Sequence, residues 1–170
     1  MELLRADAFE ALFRTFGRTA FRLELRDTYY EPAESGPFRL FLDGLHDDFA
    51  WHEPWLAGVR ELTAAGKRMS RVRVVTVPHG DYTRWGLAVA SLNAGAGEDI
   101  RWLPRELATG LDLPGDDFWL FDDQYVVRMH FDSEGRFAGG ELTRDPAEID
   151  SCRRAQRESW NLAIPHGEYR

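Results

Sequence analysis

The sequence predicts an α/β domain, with α+β as the alternative, in which helices flank a mixed β-sheet. Three observations carry that prediction. Residues 71–105, RVRVVTVPHGDYTRWGLAVASLNAGAGEDIRWLPR, read as strand, helix and strand, the unit that makes a parallel pair in an α/β sheet. Residues 117–142, DFWLFDDQYVVRMHFDSEGRFAGGEL, read as three strands joined by tight polar turns at Asp122-Asp123 and Ser133-Glu134-Gly135, which makes a C-terminal antiparallel meander. The chain has 170 residues, of which 44% are hydrophobic and 13% aromatic, enough for one core and too few for two, so residues 1–170 form a single domain.

In chain order, Asp7 and Glu10 have the spacing of a capping box, and Phe9, Leu12, Phe13 and Phe16 follow on one helical face up to Gly17. From Thr19 to Tyr29 the pattern alternates. Phe21, Leu23 and Leu25 face one way and Arg22, Glu24 and Arg26 the other, which predicts a strand with one wet face at a sheet edge. Phe38, Phe41, Leu42 and Leu45 recur at helical intervals, so a second helix is expected from about Ser35. HDDFAWHEPWL is a loop leading to Pro54, which suits the first turn of a third helix with Trp55, Leu56, Val59 and Leu62 as its stripe and Gly66 as its stop.

Met69 to Val77, rich in Val, is expected as a central strand with Arg71 and Arg73 on one face. Asp81 then caps a helix over Tyr82–Asn93 that ends at Gly95-Ala96-Gly97, and Asp99 to Leu103 is the second strand of the unit. After the meander, Asp145, Pro146 and Glu148 start a last helix to about Ala163. Its narrow apolar side is Ile149, Cys152, Ala155, Ser159 and Leu162.

Composition excludes several classes. A formal charge of -8 with a pI near 5.1 argues against strong nucleic-acid binding by this chain alone, since phosphate contacts need clustered Lys and Arg. One cysteine, Cys152, permits neither an intrachain disulfide nor a cysteine zinc cluster. No stretch of about 18 uncharged apolar residues occurs and the N-terminus lacks a signal-peptide core, so a cytoplasmic protein without membrane contact is expected. No cofactor or metal motif is present. Only Lys67 among the 21 basic residues is a lysine, so the positive charge is almost wholly guanidinium, a group suited to carboxylate and phosphate forks.

On RVRVVTVPHGDYTRW, AGEDIRWLPR and the meander, together with the opening MELLRADAFEALF and the closing AIPHGEY, the chain resembles an actinobacterial family that is a domain of unknown function. Its members are commonly encoded beside a helix-turn-helix regulator. That resemblance implies a protein partner and assigns no activity. The order of strand, Asp-Tyr turn, helix, Gly-rich stop and Ile-Arg strand more weakly resembles one half of a phospholipase D superfamily domain. The catalytic signature of that superfamily is His, any residue, Lys, then Asp after four more; here His130 is followed by Phe131 and Asp132, with no Lys.

Arg71, Arg73, Arg84, Arg101 and Arg105 are the candidate ligand-binding set. If the two strands pair in parallel, their guanidiniums can converge on a carboxylate or phosphate; otherwise Asp81, Glu98, Asp99 and Asp122 neutralise them as a structural network. His130 and Asp132, two apart on a strand, are the weak catalytic pair, a carboxylate orienting an imidazole, against a plain strand-end polar pair. Asp116-Asp117 and Asp122-Asp123 read as turn residues in preference to Mg²⁺ ligands, and the His46, His52, Glu53 group as a solvated loop. Most of the six tryptophans read as core, with a pocket or an interface as the alternative for Trp51 and Trp102. The leading expectation is a non-enzymatic binding or regulatory domain. The alternatives are a phosphodiesterase-like hydrolase or other enzyme acting on an anionic small molecule, and a toxin-antitoxin style component.

Overall fold

The computed structural model describes residues 3–170, and nearly every element follows from a local pattern with its neighbours set by distant pairing. The elements run β1 (Leu3–Leu4), α1 (Ala6–Thr15), β2 (Thr19–Glu24), α2 (Pro32–Leu42), α3 (Glu53–Ala64), β3 (Arg68–Val75), α4 (Asp81–Ala96), β4 (Asp99–Pro104), β5 (Asp117–Phe121), β6 (Tyr125–Phe131), β7 (Phe137–Thr143), α5 (Pro146–Leu162) and β8 (Ile164–Pro165). They form a mixed α/β fold on an eight-stranded sheet of order β1-β7-β6-β5-β2-β3-β4-β8. β2, β3 and β4 are parallel, and the meander joins β2 through antiparallel β5.

The central strand-helix-strand unit is β3, α4 and β4. α4 ends at Gly97, whose φ of 116° lets the backbone turn left-handed without a Cβ penalty. The first hairpin of the meander turns on Asp122 and Asp123, both at positive φ. The Asp122 carboxylate accepts hydrogen bonds from the backbone N–H groups of Gly17, Arg18 and Thr19, tying the hairpin to the start of β2. α5 has its N-cap as expected, with the Asp145 carboxylate accepting from the Ala147 N–H.

Two cores lie on the two faces of the sheet. On one, α5 covers Phe21, Leu23, Val72, Val74, Leu103 and Phe118 through Ile149, Cys152 and Ala155. On the other, α1 and α3 pack Phe13, Phe16, Leu56 and Val59 over Ala20, Met69, Trp119, Phe121 and Val127. Each fully buried large apolar side chain contributes roughly 1.5–3 kcal/mol. α4 continues this second face, and α2 leans on α4 through Phe38, whose ring lies 5.4 Å from Trp85.

Several expectations are corrected. The Thr19–Tyr29 strand stops at Glu24 and is interior, flanked by β3 and β5, because a second hydrophobic strand from the meander completes its other side. Its supposed wet face is buried: Glu24 is 3% exposed. Asp7 lies inside α1, whose N-cap is Arg5 without a side-chain cap, and Asp81 lies inside α4, capped by Gly80. α2 begins at Pro32, since proline is at home in a first turn. The HDDFAWHEPWL loop contains a 3-10 turn over Ala50–His52. Leu162 is 45% exposed and leaves the apolar side of α5.

Candidate functional site

Charges meet under α4. In the parallel register Arg22 lies opposite Arg71 and Glu24 opposite Arg73, and all four side chains share the face that α4 covers. One carboxylate therefore sits among three guanidiniums. Glu24 Oε1 is 2.9 Å from Arg71 Nη1 and 3.1 Å from Arg22 Nε, and Glu24 Oε2 accepts from Arg73 Nε. The neighbouring strands supply the remaining anions. Arg71 Nε donates to Glu98 at the head of β4 at 2.7 Å, and Arg22 Nη2 is 3.7 Å from Asp117 of β5. Arg22, Arg71 and Arg73 thus face Glu24, Glu98 and Asp117.

The network extends outward through neutral groups. Asn93 donates to Glu98 at 2.8 Å and also meets the ring of His52. The Tyr29 hydroxyl donates to Asp117 at 2.6 Å, and the Tyr82 hydroxyl to Glu34 at 2.7 Å. Aromatic faces back the cations: Arg71 stands 5.7 Å from the centre of Trp119 and Arg73 5.3 Å from Trp102. α4 approaches closely enough that a Cβ on Gly86 would come within 2.8 Å of the Arg73 guanidinium.

Burial alone would raise the Glu24 carboxyl, but the charges of Arg22, Arg73 and Arg71 outweigh it and hold the group well below the usual carboxylate value. Burial wins at the edges. It raises Asp117 against the pull of Arg22 and Tyr29, and raises Glu34 against the hydrogen bond from Tyr82. It also lowers His52 and pushes the Cys152 thiol up to about 11, which leaves that cysteine an apolar core residue.

The cluster brings together only two of the five candidate arginines. Arg71 and Arg73 lie in it. Arg101 pairs in register with Val72 and so projects from the other face, 3.9 Å over the Trp160 ring. Arg84 is exposed on α4 and bonds Asp81. Arg105, past the end of β4, donates to the Leu25 carbonyl at 2.9 Å and lies 3.4 Å from Asp27. Of the four expected neutralising carboxylates, Glu98 is in the network; Asp81 serves Arg84, Asp122 serves backbone, and Asp99 is exposed at the start of β4.

His130 and Asp132 do not meet. A register irregularity at His130/Phe131 separates them: His130 lies 3.2 Å from Glu141, and Asp132 accepts from the N–H groups of Glu134 and Arg136 in the turn. Asp117 points into the ion network and Asp122 toward the β2 backbone, so the acidic pairs do not converge. His46, His52 and Glu53 do not either: among the described residues no group of three His, Cys, Asp or Glu side chains is placed to hold a metal ion. Trp51 is half-buried and stacks on Trp85 at 5.8 Å, and Trp102 is fully buried. The closing segment packs over Trp102: Tyr169 stacks on it at 5.7 Å and His166 accepts its indole N–H at 3.0 Å.

Sequence reasoning missed Glu24, Arg22, Tyr29 and Tyr82. The available signal was the matching i, i+2 charge pattern of Arg22-Glu24 and Arg71-Arg73, which becomes informative once the two strands are known to be neighbours.

Among the described residues no helix is long and apolar enough to cross a membrane. No curated protein matches the chain significantly. Among solved structures, a phosphatidylserine synthase from Haemophilus influenzae Rd KW20 aligns with 93% of this chain and 36% of its own, at 12% identity and a TM-score of 0.49. The chain thus spans about a third of that protein's length, and a likeness of this degree says nothing of activity. A family profile described as Domain of unknown function (DUF6879) matches residues 7–170, and the chain belongs to that family.

Proposed function

We propose that this member of the family is a cytoplasmic, non-enzymatic binding or regulatory domain that works with a helix-turn-helix transcriptional regulator. The observation that carries the reading is the internal neutralisation of Arg71 and Arg73. Both guanidiniums that an anion clamp would use are held by Glu24 and Glu98 under α4, and the cavity reaching Arg73 encloses only about 10 Å³. A space of that size takes one water and no phosphate ester. Buried, paired charges tie the β2, β3, β4 and β5 segments together beneath α4, which suits a rigid binding platform. The regulator as partner rests on the resemblance to a family whose members are commonly encoded beside such regulators.

Co-expression with the neighbouring regulator, followed by affinity purification and titration calorimetry of the two purified proteins, tests the reading. A stoichiometric complex is expected. Turnover of a phosphodiester by this chain alone, lost in a folded Arg73→Gln variant, would overturn it in favour of an anion-directed enzyme.

A further inference from the structure

We propose that the cleft between α1 and α3 binds a small amphipathic anion, a medium-chain or aryl carboxylate whose apolar body lies between the helices and whose head group meets Arg14 and Lys67. The cleft encloses about 380 Å³, within the size range of small-molecule sites. Its walls are apolar: Phe13 from α1, Trp55, Val59 and Leu62 from α3, and Met69 from the start of β3.

The rim gives the charge preference. The charged residues lining the cleft are Arg14, Lys67 and Glu61, a net positive set on a chain that is otherwise strongly acidic. Lys67, the sole lysine, donates to the Phe16 carbonyl at 2.6 Å and sits 4.9 Å over the Phe16 ring. That fixes its ammonium beside the cleft and leaves two N–H groups to give. Among the described residues no carboxylate pairs with Arg14 or Lys67, unlike the guanidiniums under α4.

Gly58 marks a wall at which the cleft can be filled. It lies inside α3, where glycine lowers helix stability, and it lines the cleft. Under α4, by contrast, a Cβ on Gly86 would strike Arg73. At Gly58 a Cβ would meet nothing within 4 Å. A longer side chain at Gly58 would therefore extend into the open space of the cleft. A multiply charged phosphate lacks the apolar body that Phe13 and Trp55 would cover, and a neutral lipid leaves the cations unused.

This inference goes beyond the regulator reading and does not depend on it. The test is calorimetric titration of the full chain with octanoate, alongside 1-octanol as the uncharged analogue and phosphatidylglycerol vesicles as an anionic lipid surface. Saturable one-to-one binding of octanoate is expected, at least about tenfold tighter than octanol, weakened several-fold by Arg14→Gln and abolished by Gly58→Leu, with Gly58→Met as a second occluding variant. Near-UV circular dichroism establishes that each variant is folded. Octanoate that fails to saturate, that binds no better than octanol, or that binds folded Gly58→Leu and Gly58→Met as it binds the wild type overturns the proposal. So does vesicle binding without octanoate binding, which would make the face a lipid-surface contact.

Discussion

Two regions on one face of the sheet divide charge and space between them. Under α4, three guanidiniums meet three carboxylates, and the cavity that reaches Glu24 and Arg73 encloses about 10 Å³; between α1 and α3, apolar walls bound about 380 Å³, and among the described residues no carboxylate pairs with the cations that line it. The arginine-rich strand that draws the eye in the sequence is the closed region. A run of guanidiniums marks an anion site only if the adjacent strands withhold carboxylates, and here β2, β4 and β5 supply them.

The comparison breaks most visibly at Glu24. Replacing it with Ala leaves three buried guanidiniums short of an anion and should cost about 3–5 kcal/mol in urea unfolding, the range for a broken buried ion pair. If the loss is below about 1 kcal/mol, the cluster is hydrated and open. The pH dependence follows from the depressed Glu24 value: its contribution is fully present above the ordinary carboxylate value of 4.5 and is lost progressively as pH falls from there through the much lower folded value. The stability gap between wild type and Glu24→Gln should therefore stay level from pH 8 to about 5 and narrow in stronger acid.

Arg71 and Glu98 sharpen the point. Arg71→Met alone should cost about 3 kcal/mol by stranding Glu98, while Arg71→Met combined with Glu98→Leu should recover about half of that, since removing both charges also removes their desolvation penalty. Recovery in a double-mutant cycle would confirm a structural pair; no recovery would point to a role beyond packing. Outside both regions, Asp122→Ala should cost about 1–2 kcal/mol by leaving the Gly17, Arg18 and Thr19 N–H groups to solvent, a loss readable by thermal unfolding. The smallest effect has the opposite sign. Gly58→Ala should stabilise the chain by about 0.5–1 kcal/mol, because the helix gains propensity and the added methyl meets open space.

Much of the fold was legible because its signals are local. Val72, Val74 and Val75 specify a strand whatever surrounds them, Pro54 and Pro146 begin helices because φ is preset, and Asp122-Asp123 and Gly135 turn because they accept positive φ. Arg22 and Glu24 were read as a wet face because alternation reports that two faces differ, never what covers them. Asp81 was read as a cap because residue type and spacing do not show which residue takes the extended conformation before the helix, and Gly80 takes it.

The site was less legible than the fold. Arg71 and Arg73 were correctly placed on one face, and Glu98 was named as a partner. Arg101 is one residue out of phase with them in register, and that single step sends it through the sheet to Trp160. By itself the sequence determined the α/β elements, the parallel β3-α4-β4 unit and the meander, since each is written in periodicity and turn chemistry within a few tens of residues. Tertiary structure alone decided that β5 closes on β2, that Glu24 sits among three arginines, and that Phe13, Trp55 and Gly58 line one cleft. Those outcomes depend on which distant segments become neighbours, and the chain's local preferences carry no record of that choice.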